Sequence, residues 1–361
     1  MHAKLAALGT QQSRVTKPHT NARSPAIKTK HLELAISAQA LSPDPITTVS
    51  TPPEYTQSPQ PPSLSSSPLT AHAFELGARL GCGKFGRVYL ARHIATNYFC
   101  ALKVLSKATC IAAREESLIR RELEVHRNLT HPHILRLLAW FHDATSVYLV
   151  LEYAPGGNLF SLLSRQPDNR FREPDAARFV AQVSSALAYL HAKHVLHRDL
   201  KPENVLLGLD GQVKLADFGY SVRSSSGART TICGTLDYLS PEVARLLLHE
   251  LQLQQQAADA PTPTHADDVD VDMQRYTSAV DRWSLGILAY ELLVGAPPFE
   301  RESAGETRAC IAAFEGHVAF PAHVSAGARD LISGLLRVQA ERRMGFEDVL
   351  AHPWVVGCGG G

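Results

Sequence analysis

Long apolar runs, paired cysteines and any large excess of charge are all missing from this 361-residue chain. No run of eighteen apolar residues occurs, so no segment is suited to span a membrane as a helix. The start, Met1-His2-Ala3-Lys4, has no apolar h-region behind it, which argues against a secretory signal. Six cysteines stand apart at positions 82, 100, 110, 233, 310 and 358 without a CxxC pair. A reduced intracellular compartment suits that pattern better than a disulfide framework. A formal net charge of +1 gives no reason to expect a nucleic-acid surface. What is present in quantity is hydrophobic residues, 45% of the chain. That is enough for the core of one large domain or two small ones.

Residues 1–73 read as a disordered tail. From Ser42 to Pro68 the chain is mostly Ser, Thr, Pro and Gln, and cannot bury enough area to offset its ordering entropy. The first thirty residues hold six Lys or Arg and no Asp or Glu. They form either a solvated basic arm or a docking and targeting segment. Ser24, Ser42, Thr51, Ser58 and Ser67 each precede proline. They are either sites where phosphorylation adds charge to a flexible strand or a by-product of composition.

Folded structure is expected over 74–354. Strand patterns flank a glycine-rich turn, in Phe74–Gly77 and Arg87–Arg92, and recur at Phe99–Leu105 and Val147–Tyr153. A helix is expected over 111–129, with Leu118, Val125 and Leu129 near one face. After Gly156-Gly157 the pattern turns helical, at Ala176–His191, Ser284–Val294, Ala328–Val338 and Phe346–Leu350. The fold class is therefore α+β: a small, antiparallel β lobe with one main helix (74–153) and a larger, mainly helical lobe (154–354). A ligand is expected in the cleft between them. Residues 355–361 form a short tail.

The chemistry sits in His197-Arg198-Asp199-Leu200-Lys201-Pro202-Glu203-Asn204, followed by Asp217-Phe218-Gly219. Phosphoryl transfer needs an acceptor for a hydroxyl proton, a cation near the moving group and oxygen ligands for Mg²⁺. Asp199, Lys201, and the pair Asn204 and Asp217 supply these in order. Upstream, Gly81-Cys82-Gly83-Lys84-Phe85-Gly86 matches a glycine-rich loop over ATP. Alone that pattern is a tight turn. Here strands flank it on both sides, whereas a dinucleotide fold would run from the glycines into a helix. Lys103 on the next strand suits contact with ATP phosphates, and Glu122 on the helix suits pairing with it. Alone, Lys103 would be a solvated strand lysine. The ordered set gives it a catalytic reading.

These motifs resemble a eukaryotic Ser/Thr protein kinase, and within that superfamily an Aurora kinase. The likeness runs over about 74–354. It includes Lys84–Arg92, His131–Leu137, Val147–Pro155, Arg229–Leu239 and Gly327–Ile332. Leu236-Asp237 stands where cyclic-nucleotide-dependent kinases usually have Pro-Glu, and the chain stops seven residues after Trp354, with no long extension. The resemblance implies that Leu80, Gly81, Cys82, Gly83, Lys84, Phe85, Gly86, Val88, Ala101, Lys103, Leu151, Glu152, Ala154, Glu203, Asn204, Leu206 and Asp217 line the ATP site. Leu151 would be the gatekeeper, and Glu152 and Ala154 would offer backbone groups to adenine. Thr231, beside Thr230, aligns with an activating phosphothreonine whose phosphate would pair with Arg198. Thr235 would bond Asp199 and Lys201, Glu242 would pair with Arg343, and His197 would pack under Phe218. Glu203 and Glu291 would read a substrate arginine two residues before the phosphoacceptor. The alternative is that Glu203 solvates the loop and Glu291 caps a buried network. Asn158 stands where the cyclic-nucleotide-dependent kinases place a carboxylate for arginine at minus three, so selection there should be looser.

Four departures from the family stand out. Tyr220 replaces a usual Trp, and Ser240-Pro241-Glu242 replaces Pro-Pro-Glu or Ala-Pro-Glu. His126, one turn after Glu122, stands where most kinases have an apolar residue, although Auroras tend to be polar there too. It is either a surface histidine or a weak point that makes activity depend on a partner. Between Glu242 and Asp281 lie 38 residues, many more than the family has. The insertion, about 247–275, carries Gln252–Gln256 and Asp267, Asp268, Asp270 and Asp272. It is either a solvated loop or a docking surface for a basic partner.

The resemblance implies ATP and Mg²⁺ as cofactors, and protein substrates with basic Ser/Thr sites. It also implies an activating or targeting protein and a monomeric catalytic domain, with no nucleic acid or membrane required. It places the protein in nucleus and cytoplasm, and at the spindle, centrosomes, chromosomes or midbody during division. Two other readings remain: a basophilic kinase of the cyclic-nucleotide-dependent or polo-like neighbourhood, and a pseudokinase scaffold.

Overall fold

The computed structural model describes residues 69–83, 86–113, 116–223, 235–259 and 278–358. The tail before residue 69, Lys84 and Phe85, the segment carrying Thr230 and Thr231, and the aspartates of the insertion lie outside the described residues. The small lobe is built on β1 (Phe74–Gly83), β2 (Gly86–His93), β3 (Tyr98–Ser106), β4 (Leu137–His142) and β5 (Ser146–Leu151). They form one antiparallel sheet in the order β1-β2-β3-β5-β4. Alternation along β3 decides what each face does. Cys100 and Leu102 pack outward with Phe74, Ala91 and Phe141. Ala101 and Leu105 pack inward with Leu149 and Leu151, and Lys103 shares their face. Gly86 is required by that sheet, since a Cβ there would lie 1.8 Å from Val104 O.

Two helices replace the single one expected over 111–129: α1 (Lys107–Ala112) and α2 (Glu116–His126). Ser106 starts the first, its Oγ accepting from Thr109 N at 3.3 Å. Val125 and Leu129 are buried as expected, but Leu129 lies in the turn beyond α2.

The large lobe holds α3 (Leu159–Leu163), α4 (Glu173–Ala192), α5 (Pro241–Asp259), α6 (Ala279–Val294), α7 (Ala304–Ala312), α8 (Ala326–Leu335), α9 (Phe346–Ala351) and α10 (Pro353–Cys358). Short strands β6 (Val195–Leu196) and β9 (Val222–Arg223) pair, as do β7 (Val205–Leu207) and β8 (Val213–Leu215). Ala176, Phe179, Val180, Val183, Leu187 and Leu190 of α4 face the core at helical spacing. Every residue of α6 except Arg282 and Val294 is buried. It stops at Gly295, whose φ of +96° suits glycine and whose Cβ would lie 2.9 Å from Asn169 O. Among the described residues, no helix is long and apolar enough to cross a membrane.

The insertion corrects one expectation. Residues 247–259 are not a loop but the continuation of α5. Val243, Ala244 and Leu247 recur at helical spacing and are buried. Arg245 Nε donates to Ala312 O at the end of α7, at 3.0 Å. The glutamines beyond are good helix formers and extend it.

Candidate active site

Lys103 and Glu122 meet because β3 and α2 face each other across the inner core. Lys103 Nζ donates to Glu122 Oε1 at 2.7 Å and lies 3.7 Å from Asp217 Oδ1. Burial alone would lower the lysine's pKa. The two carboxylates outweigh it and hold the ammonium well above its ordinary range. Lys103 in turn is the main cause that holds the Asp217 carboxyl below its ordinary value, so Asp217 is ionised at neutral pH.

The second cluster is built on the loop between β6 and β7. Lys201 Nζ lies 3.0 Å from Asp199 Oδ2 and donates to Thr235 Oγ1 at 2.8 Å. Thr235 Oγ1 donates to Asp199 Oδ1 at 3.0 Å. Asn204 Nδ2 donates to Asp199 O at 2.8 Å and Asp199 Oδ2 at 2.9 Å, which leaves its amide oxygen to face elsewhere. The short β7–β8 hairpin sets Asn204 and Asp217 at its two ends, with Ala216 N donating to Asn204 O at 2.8 Å. His197 is fully buried, donates from Nε2 to Ala216 O at 3.1 Å, and meets Phe218 edge-on at 5.4 Å.

Asp281 is the functional residue that motif reading missed. It is fully buried on α6, and its two oxygens accept His197 N at 2.9 Å and Arg198 N at 2.8 Å. His191 Nε2 lies 2.7 Å from it. Burial opposes its ionisation, but the His191 and backbone bonds outweigh that and lower its pKa. The arrangement holds Arg198 at a φ of +69°, and Asp217 also sits at positive φ, +64°. Non-glycine residues at such φ persist only where surroundings over-determine them. One signal was available in sequence: an aspartate at the start of a largely apolar helix must find partners.

Val88, Ala101, Leu151, Ala154 and Leu206 belong to a single apolar cluster that also contains Ala216. Leu80 is exposed at 45%. Glu152 N donates to Arg136 O at 2.9 Å, so its carbonyl is the backbone group left for a ligand. A Cβ on Gly81 or Gly83 would meet no atom of the described residues within 4 Å, so their packing does not demand glycine there.

His126 is not a surface histidine. It is 3% exposed, its Nε2 donates to Leu135 O at 2.6 Å, and its ring packs on Phe218 at 4.6 Å. Burial pushes its pKa down to about 4, so the ring is neutral at pH 7. Glu242 and Arg343 form a bidentate pair at 2.8 and 2.6 Å, and the Arg343 side chain is fully buried.

Glu203 is half-buried and Glu291 is 7% exposed. Tyr238 donates from its hydroxyl to Glu291 Oε2 at 2.5 Å. Burial, then Glu203, Asp237 and Glu300, push the Glu291 carboxyl up to about 7 against the opposing Tyr238 bond. Asp237 is raised too, by burial and then Glu300. Glu291 thus sits in a buried network with Tyr238 and also shares a field with Glu203. Asp237 and Glu300 were not foreseen as its neighbours. Asn158 caps α3, its Oδ1 accepting Ser161 N at 2.8 Å.

Comparison with known proteins completes the description. The protein kinase domain family matches residues 74–355. The chain is 45% identical over 283 residues to an Aurora kinase of Schizosaccharomyces pombe, covering 78% of this chain and 71% of that one. It is 44% identical over 282 residues to Aurora kinase B of Drosophila melanogaster, covering 78% and 77%. To Aurora kinase C of Mus musculus it is 43% identical over 296 residues, covering 82% and 96%.

Proposed function

The chain belongs to the protein kinase family and, within it, to the Aurora kinases, and on that premise we propose how its own residues perform the transfer. It is an ATP-dependent serine/threonine protein kinase, and its substrates are proteins. The observation that carries the residue-level reading is the meeting of Lys103 and Glu122 of the small lobe with Asp217 of the large lobe, where hydrogen bonds also join Asp199, Lys201, Thr235 and Asn204.

The residues fit Mg²⁺-ATP. Gly81 and Gly83 leave room for phosphates, Lys103 is a cation, and Asn204 and Asp217 offer the one or two oxygens that Mg²⁺ takes from protein beside phosphate. Val88, Ala101, Leu151 and Leu206 make an apolar slot for a planar base beside the Glu152 carbonyl. Bound ATP supplies the phosphoryl group, with Mg²⁺ neutralising its charge. Lys103, fixed by Glu122, holds phosphates. Asp199 accepts the proton of the substrate hydroxyl. Lys201 supplies positive charge where the phosphoryl group moves, and Thr235 aligns both side chains.

Selection follows from the carboxylates. Glu203 and Glu291 take the planar fork of an arginine at minus two. Asn158, occupied as a helix cap and uncharged, gives weaker selection at minus three. The reading extends, on family membership, to proteins of chromosomes and spindle. It places the enzyme in nucleus and cytoplasm, at poles, chromosomes or midbody during division, with an activating or targeting protein partner. Phosphorylated Thr231 paired with Arg198 completes activation. A Ser/Thr peptide array with ATP and Mg²⁺ tests the selection. Arginine is favoured at minus two above minus three, and lysine replaces it poorly. An unchanged minus-two preference in Glu203→Ala would overturn the assignment.

A further inference from the structure

The segment Thr235–Ser240 carries two contacts of the site. Thr235 bonds Asp199 and Lys201, and Tyr238 bonds Glu291. The segment ends at Ser240, one of the departures from the family's usual Pro or Ala. Ser240 is 2% exposed, and its Oγ has no hydrogen-bond partner among the described residues. It does not cap α5 through its side chain; its carbonyl accepts Ala244 N at 2.9 Å instead. A buried hydroxyl with neither a donor nor an acceptor is costly, and native folds rarely keep one.

Ser240 faces a cavity at the N-terminus of α5. Ser284 of α6 and Arg198 of the catalytic loop also line it, with Val243 and Val280 as apolar wall. The space open to a water-sized sphere is about 20 Å³. One water needs roughly 10–15 Å³ and two to four polar partners. Ser284 has a single hydroxyl proton, which goes to Val280 O at 3.1 Å or Tyr238 O at 3.3 Å. Its oxygen lone pairs can therefore accept. Ser240 can both donate and accept. Size and chemistry suit one water.

We propose that this cavity binds one ordered water between Ser240 Oγ and Ser284 Oγ, against the Arg198 wall, and that Ser240 is a positioning residue for Thr235–Ser240. The water joins the start of α5 to α6, and α6 carries the Asp281 that holds the Arg198 backbone. The link fixes the far end of a segment whose near end touches Asp199. That role rests on the reading of the segment as substrate-facing. The water site itself does not, so the two can fail separately.

The test is a thermal-unfolding cycle of wild type, Ser240→Ala, Ser284→Ala and the double variant, with steady-state kinetics on the first two. Because the hydroxyl is hydrated, Ser240→Ala lowers Tm by about 2–4 °C. The double variant loses less than the sum of the singles, since either change removes the same water. A Tm that is unchanged or higher in Ser240→Ala means a dry orphan hydroxyl and overturns the proposal, as do strictly additive losses. A crystal structure must show density for a water within about 3.2 Å of both oxygens; a clear map without it also overturns the site. For the positioning role, Ser240→Ala raises the peptide KM about threefold, roughly the effect of one lost neutral hydrogen bond, while the KM for ATP stays the same. An unchanged peptide KM with lowered Tm would leave the water and refute the positioning.

Discussion

Lowering the pH from 8 to 6 should weaken binding of an arginine peptide about tenfold through Glu291. This carboxyl has a pKa of about 7, raised first by burial and then by Glu203, Asp237 and Glu300. A guanidinium at minus two favours the ionised form, so peptide binding releases a proton from whatever fraction of Glu291 still holds one. With one titrating group, the apparent KM scales as 1 + 10^(pKa − pH). The factor is about 1.1 at pH 8, about 2 at pH 7 and about 11 at pH 6. The sign is fixed: affinity is full above the raised pKa and is lost as pH falls through it. Initial rates at saturating ATP are measured with two peptides, one with Arg and one with Ala at minus two. The Ala peptide corrects for titrations elsewhere in the site. Glu291→Gln should show a high KM that no longer varies with pH. A ratio of the two KM values that stays flat from pH 6 to 8 would refute the reasoning, and with it the role of Glu291 as an arginine ligand.

Two further outcomes are expected. Thr231→Ala should lower peptide turnover strongly while ATP binding changes little, because on the proposed reading the phosphate that would pair with Arg198 is lost. Phosphosite mass spectrometry and kinetics on both proteins check it, and full activity from the alanine protein without a partner would rule it out. Glu242→Ala should cost about 3–5 kcal/mol, since it strands the fully buried Arg343 guanidinium. Urea unfolding measures this, and a loss under about 1 kcal/mol, as for an exposed pair, would contradict it.

The parts of the site that were legible in sequence are those whose residues come close together in the chain. Asp199, Lys201 and Asn204 share one loop, and Asp217 follows across a short hairpin. Chemistry and spacing could be read together there. The two-lobed fold was legible because strand alternation gives way to helical spacing after Gly157. What escaped depends on packing between distant segments. Asp281 supports the loop from more than eighty residues away, and nothing local marks it except a charge on an apolar helix. His126 carries a polar label in a buried place, so burial could not be inferred from residue type. The continuation of α5 was hidden because Gln252–Gln256 looks like loop composition. The leucines before it had already set a helical stripe. Glu291 was found by resemblance, but its raised pKa arises from burial first and then from Glu203, Asp237 and Glu300, which meet it only in the fold.

The most direct measurement of the central claim is Mg²⁺-dependent transfer of radiolabelled γ-phosphate from ATP to a Ser/Thr peptide by purified wild type and Asp217→Asn. The substitution keeps the shape of the side chain and removes the carboxylate that faces Lys103 at 3.7 Å. Nearly all turnover should disappear while the protein remains folded. Undiminished transfer by Asp217→Asn would contradict the assignment of Asp217 to the metal.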